Sequence, residues 1–320
     1  MRLTDDQRNR AAGVLLATAA GDALGAGYEF TTPAPTTPIE MIGGGLGDFA
    51  PGEWTDDTSM AVAVAEVAAT GADLADESVL DAVAAQFLRW FDSNPPDIGN
   101  QTRAVLSVRP QSGRAMAERA ASLPGRTGGN GSLMRTAPVA LAYLDDEAGC
   151  VAAARAISDL THADPRAGEA CEMWSYAIRH AVLHGDFGGV RGYLDTADAT
   201  VRAYWGPLLD RAESGSPADF PRNGWVVDAL LTAWWAISGV EESGPDQLPA
   251  ALERAVRAGN DTDTTAAIAG GLLGARWGAT AVPDQWRAML HGWPGYRADD
   301  LVRLALSTVD GGTMATEVCA

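Results

Sequence analysis

Two segments of the chain place acidic and hydroxyl side chains directly before apolar runs. Residues 52–60 read GEWTDDTSM and lead into an alanine- and valine-rich stretch, while residues 258–278 read AGNDTDTTAAIAGGLLGARWG. Carboxylate and hydroxyl oxygens are hard ligands, which suit Mg²⁺, Mn²⁺ or Ca²⁺ better than Zn²⁺. The paired carboxylates of the two segments are those of Asp56, Asp57, Asp261 and Asp263.

Either segment alone is also explained by helix capping, because an aspartate in a first turn accepts free backbone N–H groups and complements the helix dipole. The repeated arrangement favours an interpretation in which the two helix starts meet. Four carboxylates brought together would repel one another strongly without cations between them. The repeat therefore predicts two divalent cations at this point. Ala266, Gly270 and Gly274 recur every four residues and leave one helix face without bulk, so another helix can pack closely there.

Two other acidic motifs can be compared with the second segment. Asp261, Asp263 and Thr265 match the D-x-D-x-T pattern of haloacid-dehalogenase-type phosphatases, in which the first aspartate is the nucleophile. That pattern requires the end of a buried strand early in an α/β domain, whereas this segment stands late in a helical chain. An EF-hand is excluded because the segment lacks the glycine and the final glutamate of that calcium loop.

A glycine-rich segment, GRTGGNGSLMR at residues 125–135, precedes another apolar stretch. Such a loop can direct several backbone N–H groups at a phosphate, although it is not a Walker loop, because the chain contains no lysine. His162 stands at a polar junction between two helical segments. His180 and His184 share a helix face, but without the glutamate of an H-E-x-x-H motif they are interpreted as surface residues.

The apolar residues follow helical spacing throughout, and alternating strand patterns are nearly absent, so we predict an all-α fold in one compact domain spanning residues 1–320. Gly- and Pro-rich connections separate the helical segments, and loops of this kind are where chemistry is expected. The predicted helices cover residues 7–24, 58–70, 76–92, 136–144, 147–160, 166–184, 226–238, 248–258, 264–277 and 298–308.

The composition excludes several classes of protein. With 23 basic and 42 acidic side chains the net charge is −19, which disfavours nucleic acid and anionic membranes as partners. No apolar stretch approaches the roughly 20 residues needed to span a bilayer. Cys150, Cys171 and Cys319 show no C-x-x-C pair, which is typical of a protein in a reducing cytoplasm. We therefore expect a cytoplasmic protein.

Taken together, the motifs resemble those of the ADP-ribosylglycohydrolase family, which are helical two-metal hydrolases that remove ADP-ribose from modified acceptors. The resemblance extends over nearly the whole chain and rests on the order and spacing of five blocks. These blocks are GVLLATAAGDALGAGYEF (13–30), GEWTDDTS (52–59), GRTGGNGSLMRTAPVAL (125–141), LTHADPRAGEACEMWSYAI (160–178) and AGNDTDTTAAIAGGLLGARWG (258–278).

The resemblance implies specific roles for residues at the matching positions. The segment PPDIGNQTR at 95–103 resembles a loop of the nitrogenase-reactivating members, and its Asp97 would lie near the ribose. Glu29 matches a catalytic-site glutamate, and His162 a histidine near the substrate. The ligand-binding loop would comprise Thr127, Gly128, Gly129, Asn130, Gly131 and Ser132. The implied ligands of two Mg²⁺ or Mn²⁺ ions are Thr55, Asp56, Asp57, Asp261, Asp263 and Thr264.

The implied reaction is hydrolysis of the glycosidic bond that joins ADP-ribose to an acceptor. Metal ions would fix the ribose and activate water, while Glu29 or Asp97 would act as general base or orient the sugar. An arginine of an ADP-ribosylated protein is the expected acceptor. Serine, a small ester or a nucleic-acid base is the alternative acceptor, and a module that binds ADP-ribose without cleaving it is the alternative function.

Overall fold

Helices form almost all of the regular structure in this computed structural model, which describes residues 2–241 and 243–311. The α-helices of these ranges are α1 (Asp5–Gly25), α2 (Asp56–Ala68), α3 (Glu77–Asp92), α4 (Asn100–Leu106), α5 (Gly113–Ala121), α6 (Val139–Ala142), α7 (Glu147–Asp159), α8 (Pro165–His184), α9 (Gly189–Thr196), α10 (Ala199–Ser214), α11 (Val226–Ser238), α12 (Gln247–Arg257), α13 (Thr262–Trp277), α14 (Asp284–Met289) and α15 (Ala298–Val309). Two short strands, β1 (His291–Gly292) and β2 (Tyr296–Arg297), pair antiparallel as a hairpin. The predicted all-α class is confirmed. The domain bounds of 1–320 stay a prediction, because they include positions 1, 242 and 312–320, which lie outside the described residues.

Helices α1 and α13 lie at the centre of the fold, and most of their residues are buried. From Ala11 onward in α1 and along most of α13, mainly apolar or small residues occupy all sides of the helix, which is typical of a helix enclosed by other elements. A Cβ atom added to Gly270 would lie 2.1 Å from the carbonyl oxygen of Ala17, and one added to Gly21 would lie 2.1 Å from that of Ala266. The expected close packing on the small face of α13 is therefore confirmed, and it sets the start of α13 beside the end of α1.

The other helices cover this central pair and complete one continuous core of buried apolar residues. Helices α3, α12 and α15 are amphipathic and turn one apolar face inward, whereas α2 and α11 are buried along most of their length. Capping fixes several helix ends: Thr4 and Gln7 form a capping box at α1, and Asp164 caps α8 before Pro165. The core thus positions α1, α2 and α13 next to one another.

The ten predicted helical segments all overlap observed helices, but one is much shorter than predicted and five helices were not predicted. The segment 136–144 is helical only as α6. Helices α4, α5, α9, α10 and α14 were missed because they are short or carry many exposed polar residues, and α10 also contains Pro207. Packing against neighbouring helices stabilises such segments despite weak sequence signals.

No helix among the described residues is both long enough and apolar enough to cross a membrane. Cys150 and Cys171 are buried free thiols, and Cys319 lies outside the described residues.

Candidate metal centre

The start of α2 is capped by a residue of another helix. Asp22, fully buried on α1, accepts hydrogen bonds from the backbone N–H groups of Thr55 and Thr58, with N···O distances of 2.9 Å. It also accepts one from the Thr58 hydroxyl, at 2.6 Å. Because Asp22 satisfies these donors, helix capping does not account for the aspartates at the start of α2.

Asp57 is almost completely buried, yet its side chain has an unsatisfied oxygen. Its Oδ2 accepts hydrogen bonds from the hydroxyls of Thr55, at 3.0 Å, and Thr264, at the longer distance of 3.5 Å. Its Oδ1 has no hydrogen-bond partner. A buried carboxylate oxygen without a donor costs free energy, and a cation would satisfy it.

Two groups of carboxylates lie close enough together to hold metal ions, and they share one member. Ligand oxygens of Asp22, Asp57 and Asp263 lie within 4.8 Å of one another, and so do those of Glu29, Asp261 and Asp263. Every donor is an oxygen, which matches Mg²⁺ and Mn²⁺ rather than softer metals. Together with the unsatisfied oxygen of Asp57, this arrangement could hold divalent cations, and Asp263 belongs to both groups.

The electrostatics of the two groups also favour bound cations. Burial raises the pKa of the Asp57 and Asp263 carboxyls well above their usual range, and repulsion from neighbouring carboxylates raises it further. Burial, with the charges of Asp261 and Asp97, raises the pKa of Glu29 to about 8. Cations would reverse this repulsion and displace protons from the carboxyl groups as they bind.

The start of α13 is held by two amide side chains. The side-chain nitrogen of Asn130 donates to Oδ2 of Asp261 at 2.8 Å and to the carbonyl of Asn223 at 2.9 Å. The side-chain oxygen of Asn223 in turn accepts the backbone N–H of Asp261 at 3.1 Å. Asp263 accepts the backbone N–H of Thr264 at 2.9 Å. The glycine-rich loop is thereby joined directly to the carboxylates of α13.

The glycine-rich loop also pairs with the segment before α11. The backbone of Val226 donates to the carbonyl of Gly128 at 3.0 Å, and that of Asn130 donates to the carbonyl of Gly224 at 3.2 Å. From Asn130 the chain continues as a 3₁₀ turn to Arg135. Two strand-like contacts and a turn therefore fix the loop next to the metal centre.

Three predicted ligand-binding residues on or under this loop have defined surroundings. His162 is buried with Nδ1 2.7 Å from the Thr161 hydroxyl, and burial lowers the pKa of His162 well below its usual range. A Cβ on Gly131 would lie 3.0 Å from the His162 ring, so the loop packs against a neutral imidazole. Ser132 faces inward, where its hydroxyl accepts a hydrogen bond from Ser158 at 3.0 Å. Any contact of Ser132 with a ligand would therefore use its backbone.

The remaining predicted residues lie at the rim of the centre. Asp56 is half-buried as a whole and accepts a long hydrogen bond, 3.4 Å, from the backbone N–H of Gly99. Burial of its carboxyl, followed by repulsion from Asp97 and Asp22, raises the pKa of Asp56 to about 7. Asp97 accepts a hydrogen bond from the backbone of Ile98 at 2.7 Å. Asp56 belongs to neither of the two groups of three carboxylates.

Sequence reasoning missed Asp22 and Asn223. Asp22 is the one charged residue in the apolar stretch AAGVLLATAAGDALGAGY, and a lone charge in a buried helix was the available signal. Asn223, in the loop before α11, carries no local signal because its role depends on contacts with the glycine-rich loop and α13.

The competing interpretations find no support in the geometry. Asp261 lies between helices α12 and α13, so the buried strand that a D-x-D-x-T phosphatase requires does not precede it. The side chain of His180 pairs with Asp186 at 2.7 Å and contacts the tilted ring of His184 near the end of α8. Neither histidine belongs to the groups of described residues that could hold a metal.

The chain belongs to the ADP-ribosylglycohydrolase family, whose model matches residues 3–315. It is 30% identical over 293 residues to the ADP-ribosyl-(dinitrogen reductase) glycohydrolase of Rhodospirillum rubrum, which covers 88% of this chain and 90% of that protein. It is 30% identical over 295 residues to the ADP-ribosylarginine hydrolase Tri1 of Pseudomonas putida (strain GB-1), covering 89% and 75% of the two chains. A solved structure titled ADP-ribosylglycohydrolase-related protein complex is similar to it with a TM-score of 0.75 at 29% identity, covering 97% of this chain and 100% of the other.

Proposed function

We propose that this protein hydrolyses the bond between ADP-ribose and the guanidino group of an ADP-ribosylated arginine, and that it uses two Mg²⁺ or Mn²⁺ ions. The observation that carries the proposal is the meeting of the α2 and α13 starts in two oxygen-only groups that share Asp263. The names of two relatives, which include arginine or dinitrogen reductase as the modified group, support the acceptor.

The two cations would be held by the carboxylates of Asp57, Asp261 and Asp263, with Asp56 and the hydroxyls of Thr55 and Thr264 completing the set. When bound, they would supply Lewis acidity and offset the negative charge of the site. The protein's own contribution is rigidity, because Asp22 and the asparagines fix the ligands through hydrogen bonds from the core and the loops.

Proton transfer is assigned to the pair Glu29 and Asp97, whose charges repel each other across the site. One carboxylate takes the proton of the attacking water while the other orients the ribose hydroxyls. The departing guanidino group takes up a proton as the glycosidic bond breaks. Glu29→Gln and Asp97→Asn separate the roles: loss of the base lowers kcat, whereas loss of the orienting group raises KM.

The nucleotide part is assigned to the glycine-rich loop. The pyrophosphate would accept hydrogen bonds from backbone N–H groups within residues 127–132, which lie beside Asp261. The neutral His162 beneath the loop adds no charge and holds the loop in place through packing. A nucleotide bound in this way would have its ribose over the carboxylates.

The test is release of ADP-ribose from matched peptides that carry the modification on arginine, on serine or as an ester. We expect release from the arginine-linked peptide with Mg²⁺ or Mn²⁺, none with EDTA, and recovery after the cation is restored. Tight binding of ADP-ribose without release from any peptide would overturn the proposal in favour of a binding module. Faster release from serine than from arginine would overturn the assigned acceptor.

A further inference from the structure

A cleft of about 470 Å³ opens beside the metal centre on the α2 side. Its walls include Thr55, Asp56 and Asp97 but none of the loop residues 127–132. The proposed pyrophosphate site is joined instead to Asp261 of α13. A ribose held at the carboxylates with its phosphates on the α13 side would therefore direct its other substituent, the acceptor, toward this cleft.

Aromatic side chains form much of the cleft wall. Trp54 and Trp90 are buried, while Trp293 and Tyr296 of the β1–β2 hairpin are partly exposed. Planar aromatic faces bind a guanidinium by stacking and by cation–π attraction. Arg89 already lies 5.1 Å from the ring centroid of Trp293, so this ring accepts a guanidinium within the protein itself.

The wall is rigid because the hairpin is tied to the loop before α2. The backbone of Trp54 donates to the carbonyl of His291 at 3.1 Å, and its indole donates to the carbonyl of Trp293 at 3.3 Å. The Tyr296 hydroxyl donates to Glu66 at 2.8 Å, and Glu66 also pairs with Arg89 at 2.9 Å. A ligand entering the cleft thus meets a preformed surface.

The charge of the cleft suits a cation. Three carboxylates line it, those of Glu53, Asp56 and Asp97, against one guanidinium, that of Arg297. Glu53 and Asp97 lie outside the two groups assigned to the cations, so their charges remain when metal ions are bound. An aromatic, acidic cleft favours an arginine side chain over a neutral serine or an anionic phosphate.

We propose that this cleft is the acceptor pocket and that Trp293 and Glu53 select the guanidinium of the modified arginine. The proposal rests on the proposed function, because it places the acceptor of that reaction. Trp293 supplies a ring face on the side away from Arg89 on which the guanidinium stacks, and Glu53 supplies a negative charge in the same cleft. Both are specificity-determining residues outside the metal and proton-transfer sets.

The first experiment compares wild type with Trp293→Ala, Trp293→Phe and Glu53→Gln on the arginine-linked peptide. Trp293→Ala raises KM about tenfold with kcat unchanged, Trp293→Phe restores most of the loss, and Glu53→Gln raises KM about threefold. The Ki of ADP-ribose, which lacks the acceptor, stays at the wild-type value in all three. Trp235→Ala is the matched control, because Trp235 is also partly buried under an arginine, Arg254, outside the cleft.

An unchanged KM in Trp293→Ala would overturn the proposal, and so would a parallel rise in the Ki of ADP-ribose, which would assign the cleft to the nucleotide. A second measurement does not depend on hydrolysis. Ethylguanidine titrated into each protein is followed by saturation-transfer NMR, with transfer expected in wild type and Trp235→Ala and lost in Trp293→Ala. If wild type shows transfer that Trp293→Ala loses but does not hydrolyse any peptide, the guanidinium pocket stands and only the proposed hydrolase activity is contradicted. Equal transfer in wild type and Trp293→Ala would contradict the proposed pocket.

Discussion

The starts of α2 and α13 have similar sequences, but the fold holds them in different ways. At α2, Asp22 of a central helix caps the backbone of Thr55 and Thr58. At α13, Asn130 and Asn223 from two loops hold Asp261. One half of the candidate metal centre is therefore fixed by core packing and the other half by loops. Coupling to a nucleotide on the glycine-rich loop is expected at the α13 half, while fold stability depends more on the α2 half.

The substitution with the largest expected effect is Asp263→Asn, because Asp263 belongs to both carboxylate groups. We expect hydrolysis to fall by more than the roughly 10–100-fold typical of losing a supporting residue at a metal site. The rise in Tm caused by Mn²⁺ should also disappear. The measurements are ADP-ribose release and thermal melting with and without Mn²⁺. Asp228→Asn is the control, since Asp228 is buried outside both groups; a full Mn²⁺ shift in Asp263→Asn would contradict the shared site.

The two helix starts meet because α1 and α13 touch, so Gly270→Ala should separate them. The added Cβ would lie 2.1 Å from the Ala17 carbonyl oxygen, and such overpacking costs about 1–3 kcal/mol of unfolding free energy. Gly206→Ala on α10 is the matched control, because no atom lies within 4 Å of its added Cβ and alanine favours a helix. Urea unfolding measures both. Equal stability of the two variants would mean that α1 and α13 are not in close contact.

Because core residues fix the α2 start and loop residues fix the α13 start, Asp22→Ala and Asn130→Ala should impair different properties of the protein. Asp22→Ala leaves buried N–H and O–H donors unsatisfied and should lower the unfolding free energy by about 1–3 kcal/mol. Asn130→Ala should leave most of the stability and weaken ADP-ribose binding instead, because it frees Asp261 from the loop. Unfolding and calorimetry are measured on both variants. Equal losses of stability in the two variants, together with equal affinities for ADP-ribose, would contradict the difference between the two helix starts.

The smallest expected effect is a pH dependence that arises beneath the loop on the α13 side. The folded pKa of His162 is lowered, so the unfolded chain takes up a proton near pH 6.5 while the folded protein does not. Stability from this residue is therefore present above about pH 6.5 and is lost by about 1.4 kcal/mol per pH unit below it, down to the folded pKa. His162→Asn should reduce this acid loss in melts between pH 5 and pH 8. His184→Asn, at an exposed position, should retain it; identical slopes for wild type and His162→Asn would refute the assignment.

Much of the candidate site was predictable because many of its residues lie in short sequence motifs. Residue types and spacing predicted two acidic helix starts, and the small face of α13 predicted a close helix partner. The family resemblance added Glu29, Asp97 and the glycine-rich loop to the predicted site, and their roles are still predictions. Asp22 was missed because a single aspartate in a helix does not reveal which backbone donors it meets. Asn223 was missed for the same reason.

The sequence predicted ten helices in the correct order, but it did not predict five others. Strong apolar periodicity predicted the central helices, because burial imposes it on any helix of the core. Helix α10, with Pro207 and exposed polar residues, forms through packing against α9 and α11, which local sequence does not encode. The cleft walls likewise come from three separated segments, around residues 49–59, 90–97 and 291–297.

Residue types and spacing alone were enough to predict a helical, acidic protein with two carboxylate-rich helix starts. These properties are local, since each depends on residue type and on spacing within one or two turns. The packing of distant segments sets which carboxylates lie close together, which oxygen is left without a donor, and where an aromatic cleft opens. Those features depend on distances between residues far apart in the chain, which are set by close contact between α1 and α13 and by the loops packed around them.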